Sequence, residues 1–191
     1  VTAKTTLLQK MGGGARSDAL FLTSALNLSV TEAAAWLPHP QRVVGSGVLP
    51  PLGPAGMVEL ARGILTGETA VTQAESFWQT LNQKPVWVKD SAGLVRARTV
   101  CCLINEAVSA LQEGVATAAD IDKAMQLGTN YPHGVLAWAD HLGLDTVLGV
   151  LNGLQSAWGE DRYRPSPLLK QKVAAGHLGK KTGQGFFNYD A

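Results

Sequence analysis

The chain has 191 residues, of which 46% are hydrophobic, enough to bury the core of one large or two small domains. Its 16 basic and 15 acidic residues leave a formal net charge of +1, so no electrostatic field favours nucleic acid or an anionic membrane. The least charged stretch, residues 19–31, is too short to span a bilayer, and we predict no membrane segment. The two cysteines, Cys101 and Cys102, are adjacent and lack metal-site spacing, which indicates reduced thiols of a cytoplasmic protein.

The first 17 residues are weakly patterned and end in three glycines, Gly12 to Gly14, so we predict a loop there. Gly12 and Gly14 suggest a dinucleotide-binding fingerprint, but Ser17 stands where the third glycine is required and no firm strand precedes them. The chain starts without an initiator methionine, as expected of a piece of a longer gene product.

Short strands alternate with helices in the first part of the chain. Apolar runs at 19–22, 42–44 and 85–88 predict strands, and the patterns over 31–37 and 69–82 predict helices. The proline- and glycine-rich stretch from Gly45 to Gly56 predicts a shaped loop without regular structure. This alternation indicates α/β packing.

Strand signals stop at about Asp90, and the rest of the chain is predicted to be helical. One helix face carries the apolar residues at 100, 104, 107, 108 and 111, and Gly114 can close that helix in the left-handed conformation. Thr117 followed by Asp120 predicts the start of a second helix with an apolar stripe that includes Ile121 and Leu127. We therefore place a boundary between residues 88 and 89.

Few residues have an obvious chemical role. The four histidines lie far apart in sequence and form no metal-binding pattern, so we predict no metal site. Glu59 lies in an apolar stretch, where a carboxylate is unexpected unless it is paired, and its simplest partner is Arg42 or Arg62. Lys180 and Lys181 could hold the phosphates of a ligand, although solvated lysines near a terminus are the commoner explanation.

Three stretches together resemble the 3-hydroxyacyl-CoA dehydrogenase family: RVVGSGVLPPLGPAGMVELARG at 42–63, the run beginning KDSAGLVRAR at 89–148, and GEDRYRPSPLLKQKVAAGHLGKKTGQGFFNYD at 159–190. The resemblance covers most of residues 19–190. It implies an N-terminal Rossmann domain that binds NAD and an all-helical C-terminal domain that dimerises and helps to close the acyl-CoA site. On this basis residues 1–88 form a partial Rossmann-like α/β segment without the glycine-rich fingerprint, and residues 89–191 form the helical dehydrogenase C-terminal domain.

The catalytic motif of the family is incomplete in this chain. In the family, the histidine of a His-Phe-Phe-Asn-Pro motif takes the proton of the substrate 3-hydroxyl as hydride leaves for NAD, and a later glutamate orients that histidine. The resemblance places Glu59 at the glutamate, Gly47 at the histidine and Pro50 at the asparagine. Ser24 replaces an asparagine near the reacting carbon, and Ala97 replaces one at the opening of the helical domain. The base or the amide of the family motif is therefore missing at each of these places.

The resemblance implies that the whole protein oxidises 3-hydroxyacyl-CoA to 3-oxoacyl-CoA with NAD. We expect this segment to be non-catalytic, to bind no cofactor alone, and to serve packing, dimerisation and shaping of the acyl-CoA site. It resembles the degenerate second module of bacterial enzymes of phenylacetate breakdown, which implies a homodimer or intramolecular pairing with an upstream dehydrogenase module. Two alternatives stay open: a half-site completed by another chain through Glu59, and a CoA-binding or interaction module that uses Lys180 and Lys181.

Overall fold

A mixed four-stranded sheet organises the first of two units in the computed structural model, which describes residues 2–50 and 56–189. The first unit ends at Arg96 and the second begins at Ala97, apart from residues 49 and 50, which belong to the second unit. The elements of the first unit are α1 (Thr2–Gly14), β1 (Phe21–Ser24), α2 (Val30–Ala34), β2 (Val43–Gly47), β3 (Gly56–Arg62), α3 (Glu68–Thr80) and β4 (Gln83–Val88).

The sheet has the order β1-β2-β3-β4 and is covered on both faces. β1 and β2 are parallel, β2 and β3 are antiparallel, and β3 and β4 are parallel. On one face Val43 and Ala61 pack with Val30 of α2, and on the other Leu60 packs with Trp78 of α3. Burial of both faces explains the short apolar runs in the sequence and confirms the predicted α/β packing.

The turn or loop predicted at Gly12 to Gly14 is wrong, because residues 2–14 form α1. Leu8 of this helix is buried in the core. Gly12 packs so closely that a Cβ atom there would lie 2.6 Å from Leu37 Cδ2. A glycine that permits close helix packing has the same sequence signature as one that makes a turn, and only the packing separates the two.

The loop predicted from Gly45 to Gly56 is also wrong at both ends. β2 continues to Gly47, and β3, which the sequence did not reveal, begins at Gly56. A Cβ atom at Gly45 would lie 2.2 Å from Val30 Cγ2, so this glycine admits α2 against the strand. The central part of the predicted loop, residues 51–55, lies outside the described residues.

The second unit is helical, as predicted, and its first helix begins at the last residue of the first unit. Ile104, Ala107 and Val108 are buried, and Gly114 has a φ of +72°. Thr117 Oγ1 accepts a hydrogen bond from Asp120 N at 3.2 Å, which confirms the predicted helix start. The helices are α4 (Arg96–Gln112), α5 (Ala118–Thr129), α6 (Val135–Leu142), α7 (Leu144–Trp158) and α8 (Pro167–Ala174).

The apolar stripe predicted for α5 is only partly buried. Ile121 lies in the core, but Leu127 is 77% exposed. The second buried residue of this helix is Asp122, whose carboxylate accepts hydrogen bonds from Leu136 N at 2.7 Å and Ala137 N at 2.9 Å. The first turns of α5 are therefore held against the start of α6. The Asp122 carboxylate makes this contact, whereas the sequence pattern predicted that Leu127 would be buried.

A second buried carboxylate fixes the tail of the helical unit. Asp140 accepts hydrogen bonds from Phe186 N and Phe187 N, each at 2.9 Å, and from Tyr189 Oη at 3.1 Å. Burial raises the pKa of Asp140, and the three donors together with Lys172 oppose that effect. In the described part of the chain, none of the helices has the length and apolarity needed to cross a membrane.

Candidate functional site

The candidate site lies where β2 ends and β3 begins. The antiparallel register places Gly47 opposite Glu59, and Glu59 is only 2% exposed. A Cβ atom at Gly47 would lie 2.9 Å from Glu59 Oε2 and 2.9 Å from Leu94 Cδ1. The two positions that the resemblance pairs as base and orienting carboxylate are thus direct neighbours, and the carboxylate fills the space beside Gly47.

Glu59 hydrogen-bonds to the start of α4 rather than to a side chain. Its Oε1 and Oε2 atoms accept the N–H of Arg96 at 3.0 and 3.2 Å. The first N–H groups of a helix have no partner within the helix, and a carboxylate there also interacts favourably with the helix dipole. Among the described residues, no histidine hydrogen-bonds to Glu59.

The predicted ion pair of Glu59 with Arg42 or Arg62 is wrong. Arg62 pairs with Glu68 at 2.6 Å, and Arg42 donates to the main-chain oxygen of Arg16. Both arginines therefore bond to other acceptors. The buried Glu59 carboxylate accepts its hydrogen bonds from a backbone N–H group instead.

Burial also governs the protonation of Glu59. It raises the pKa of the carboxyl group, while the backbone N–H groups of Arg96 and Val95 and the charge of Arg96 act in the opposite direction. A buried carboxyl group with a raised pKa can hold a proton or accept one. Sequence reasoning found this group through the motif but missed its partner, because a backbone N–H leaves no signal in the residue type of Arg96.

Hydroxyl side chains line the carboxyl ends of the two parallel strands. Ser24 lies opposite Ser46 in the register of β1 and β2, and Thr23 and Ser46 are buried whereas Ser24 is exposed. Lys4 Nζ donates to the main-chain oxygen of Ser24. Open α/β sheets bind ligands at this edge. Small hydroxyl side chains leave room there and can hydrogen-bond a ribose or an amide, so these residues fit a nicotinamide cofactor.

The two lysines predicted to bind phosphate lie in a short turn of the tail, Lys180–Thr182. Lys181 Nζ is 2.6 Å from both carboxylate oxygens of Asp145, and both side chains are about half exposed. Lys180 is exposed. A phosphate would compete with Asp145 for Lys181, so the phosphate-binding role stays a prediction. Within the described residues no cluster of His, Cys, Asp and Glu could hold a metal ion.

Family models match both parts of the chain. Residues 93–189 match the model described as 3-hydroxyacyl-CoA dehydrogenase, C-terminal domain, and residues 1–91 match the one described as 3-hydroxyacyl-CoA dehydrogenase, NAD binding domain. The chain belongs to the 3-hydroxyacyl-CoA dehydrogenase family.

Relatives of known sequence and structure agree with this assignment. A probable 3-hydroxybutyryl-CoA dehydrogenase of Bacillus subtilis is 37% identical over 190 residues, covering 100% of this chain and 66% of the relative. A 3-hydroxybutyryl-CoA dehydrogenase of Clostridioides difficile is 37% identical, covering 92% of this chain and 62% of the relative. The crystal structure of the (S)-3-hydroxybutyryl-CoA dehydrogenase of Ralstonia eutropha superposes with a TM-score of 0.86 at 36% identity, covering 100% of this chain and 68% of that one. The chain thus spans about two thirds of these dehydrogenases.

Membership of the dehydrogenase family corrects one expectation. Residues 1–91 match an NAD binding domain, which contradicts the expectation that no cofactor binds this segment. The link to phenylacetate breakdown and the boundary between residues 88 and 89 stay predictions.

Proposed function

We propose that the whole protein is an NAD-dependent dehydrogenase that oxidises 3-hydroxyacyl-CoA to 3-oxoacyl-CoA. Family membership and the names of the relatives support this reaction. When bound, NAD would supply the hydride acceptor for C3 of the substrate, and a base would take the proton of the 3-hydroxyl group. Ser24 and Ser46, at the carboxyl edge of β1 and β2, would hydrogen-bond the cofactor.

The proposal assigns no proton transfer to Gly47, which has no acceptor, and gives Glu59 a structural task. The observation that carries it is the pairing of these residues in the β2–β3 register, with the carboxylate turned to Arg96 N. The α/β segment of residues 1–88 and the helical domain of residues 89–191 serve packing and shaping of the acyl-CoA site of the whole protein. They do so in a homodimer or paired with an upstream dehydrogenase module.

The test is to assay the 191-residue chain with acetoacetyl-CoA and NADH, following the absorbance of NADH. We expect turnover at least about 100-fold below that of the whole protein, because a base is missing and general base catalysis contributes about 10²–10⁴-fold. Turnover at the rate of the whole protein would overturn the structural assignment.

The substitution Gly47→His restores an imidazole beside Glu59, and Gly47→Ala is the matched steric control. Both atoms in the way, Glu59 Oε2 and Leu94 Cδ1, are ends of flexible side chains and can move. We expect any gain in turnover to occur with Gly47→His and not with Gly47→Ala. An equal rate in both variants would show that the imidazole does not act as the base.

A second candidate is a half-site in which Glu59 acts directly on a substrate held partly by another chain. The raised pKa of this buried carboxyl group favours it. The substitution Glu59→Gln in the whole protein separates the two functions. A fall in kcat/KM of about 100-fold or more supports the half-site, and unchanged kinetics leave Glu59 structural.

A further inference from the structure

A cavity of about 340 Å³ lies in the helical unit, and Pro50, at the position of the motif asparagine, is one of its lining residues. Its volume is at the lower end of the range for small-molecule sites. Four residues of its wall, at 134, 137, 138 and 141, have the i, i+3, i+4, i+7 spacing of one face of α6. Asp122 and Gln126 of α5 face them, and His133 comes from the loop between the two helices.

Three side chains of this cavity offer hydrogen bonds that no protein group takes up. Gln126, His133 and His141 are exposed, and none of them hydrogen-bonds to another described residue. The ring of His133 is positioned edge-on to Trp138, with 6.2 Å between the ring centroids. The cavity thus combines two imidazoles and an amide with the half-buried apolar surface of Trp138 and Ala137.

The acidic residue of the cavity is hydrogen-bonded through both of its carboxylate oxygens. Each carboxylate oxygen of Asp122 accepts one backbone N–H of α6, from Leu136 and Ala137. Asp122 therefore lies at the positive end of the α6 dipole, where a negative charge is stabilised. A ligand entering the cavity meets the donors of His133 and His141 rather than an uncompensated negative charge.

We propose that this cavity binds the carboxylate of a short-chain organic acid, with the two imidazoles and Gln126 donating to the carboxylate and Trp138 contacting the apolar chain. Hydrogen bonds to an ionised acceptor are the stronger ones, and a carboxylate can accept from several donors at once. Two sources supply this chemistry: a free acid, and the distal carboxylate of an acyl group carried on CoA. The second source rests on the function proposed above.

The first experiment is calorimetric titration of the chain with hexanoate and with hexanamide, a neutral ligand of the same size. We expect hexanoate to bind at least about tenfold more tightly, because hexanamide lacks the charge that the donors recognise. Equal affinities for the two ligands would overturn the proposal.

The second experiment locates the ligand. The double substitution His133→Ala, His141→Ala should weaken hexanoate binding about tenfold or more, and His177→Ala, which removes a histidine outside the cavity, should leave it unchanged. Thermal unfolding checks that each variant is folded, and His141→Leu alone replaces the double variant if that one fails to fold. Equal loss in His177→Ala, or none in the cavity variant, contradicts the assignment.

The source of the carboxylate is tested with adipyl-CoA, hexanoyl-CoA and CoA. Tighter binding of adipyl-CoA than of hexanoyl-CoA, abolished by the cavity variant, supports an acyl group as the source. Binding of hexanoate without a preference for adipyl-CoA supports a free acid. Absence of binding by both hexanoate and adipyl-CoA overturns the proposal. The hexanoate titration does not depend on dehydrogenase activity. The proposed function and the proposed carboxylate site can therefore fail independently of each other.

Discussion

The buried carboxylate of Glu59 has a structural task that is independent of catalysis. It is almost fully buried, lies beside a glycine and accepts the first N–H of α4. The free energy of such a group depends on pH, because burial disfavours the charged form and raises the pKa of Glu59 above its ordinary value of 4.5. Between 4.5 and the raised pKa the folded chain binds more protons than the unfolded chain, so this residue's contribution to stability falls as the pH rises.

We therefore expect Glu59→Gln to be at least as stable as the unchanged chain at pH 7. Glutamine keeps the acceptor for Arg96 N and removes the buried charge, and below pH 4.5, where the carboxyl group is protonated, the difference should shrink towards zero. Urea unfolding at several pH values measures this. The control is Glu68→Gln, which removes an exposed ion pair worth about 0–1 kcal/mol. A Glu59→Gln variant that is less stable than the unchanged chain at pH 7 would contradict the assignment.

At the residue scale the sequence located both halves of the candidate pair but not their environment. The resemblance to the family paired Gly47 with Glu59, and the β2–β3 register puts them face to face. The partner of Glu59 was predicted as an arginine because charge pairing is visible in a sequence. A backbone N–H made available by the start of a helix is not visible there, since every residue except proline has one.

At the scale of single elements, a side chain distant in sequence adds to the local cap of α2. Asp90 accepts hydrogen bonds from Val30 N at 2.6 Å, Thr31 N at 2.9 Å and Thr31 Oγ1 at 2.7 Å, about sixty residues earlier. The N-cap of α2 is Ser29, whose side chain accepts from Glu32 N at 3.1 Å. Two caps thus act on a helix of five residues.

We expect Asp90→Ala to lower the free energy of unfolding by about 1–3 kcal/mol, because Val30 N and Thr31 N lose their acceptor. Ser29→Ala, which removes a single bond, should cost less, about 1 kcal/mol. Urea unfolding of both variants measures the difference. A smaller effect for Asp90→Ala than for Ser29→Ala would show that the distant carboxylate contributes little.

The tail depends in the same way on Asp140. Its replacement in Asp140→Ala leaves Phe186 N and Phe187 N without an acceptor, and we expect a loss of about 2–3 kcal/mol. Hydrogen exchange of the amides at 186–189 should become faster, while Asp145→Ala, at an exposed ion pair, should leave them protected. Unchanged protection in Asp140→Ala would show that other contacts hold the tail.

Element types were predictable where periodicity was strong and not where glycine was frequent. The 3.6-residue pattern located α3 and α4, and the predicted core residue Ile104 of α4 is buried. α1 and β3 were not predicted, because glycines such as Gly12 and those of the Gly45–Gly56 stretch usually interrupt helices and strands. In the structure the glycines at 12 and 45 admit neighbouring side chains, a property that depends on residues far away in the sequence.

At the scale of the whole molecule, the net charge and the exposed apolar surface both favour association with another protein subunit over binding of a polyanion. The net charge of +1 supplies no field for a polyanion. Large apolar side chains nonetheless lie exposed in the helical unit, including Val115 at 72%, Leu127 at 77% and Trp158 at 49%. Exposed apolar groups are frequent at interfaces between subunits.

We therefore expect the chain to self-associate. A homodimer is one of the two arrangements that the resemblance implies. Sedimentation equilibrium should give a mass of about twice the 20.1 kDa of one chain. A matched run with Leu127→Lys tests whether this exposed position takes part. A single species of 20.1 kDa at every concentration would contradict the homodimer.

The bond from Arg96 N to Glu59 has a consequence for how proteins of this kind are sorted into active and inactive forms. An acid that steadies the first turn of a helix is useful whether or not a proton is ever transferred beside it, so its presence says nothing about turnover. A diagnostic for working enzymes must ask what stands at position 47, where one substitution would place an imidazole beside Glu59 without returning the asparagines that positions 24, 50 and 97 lack.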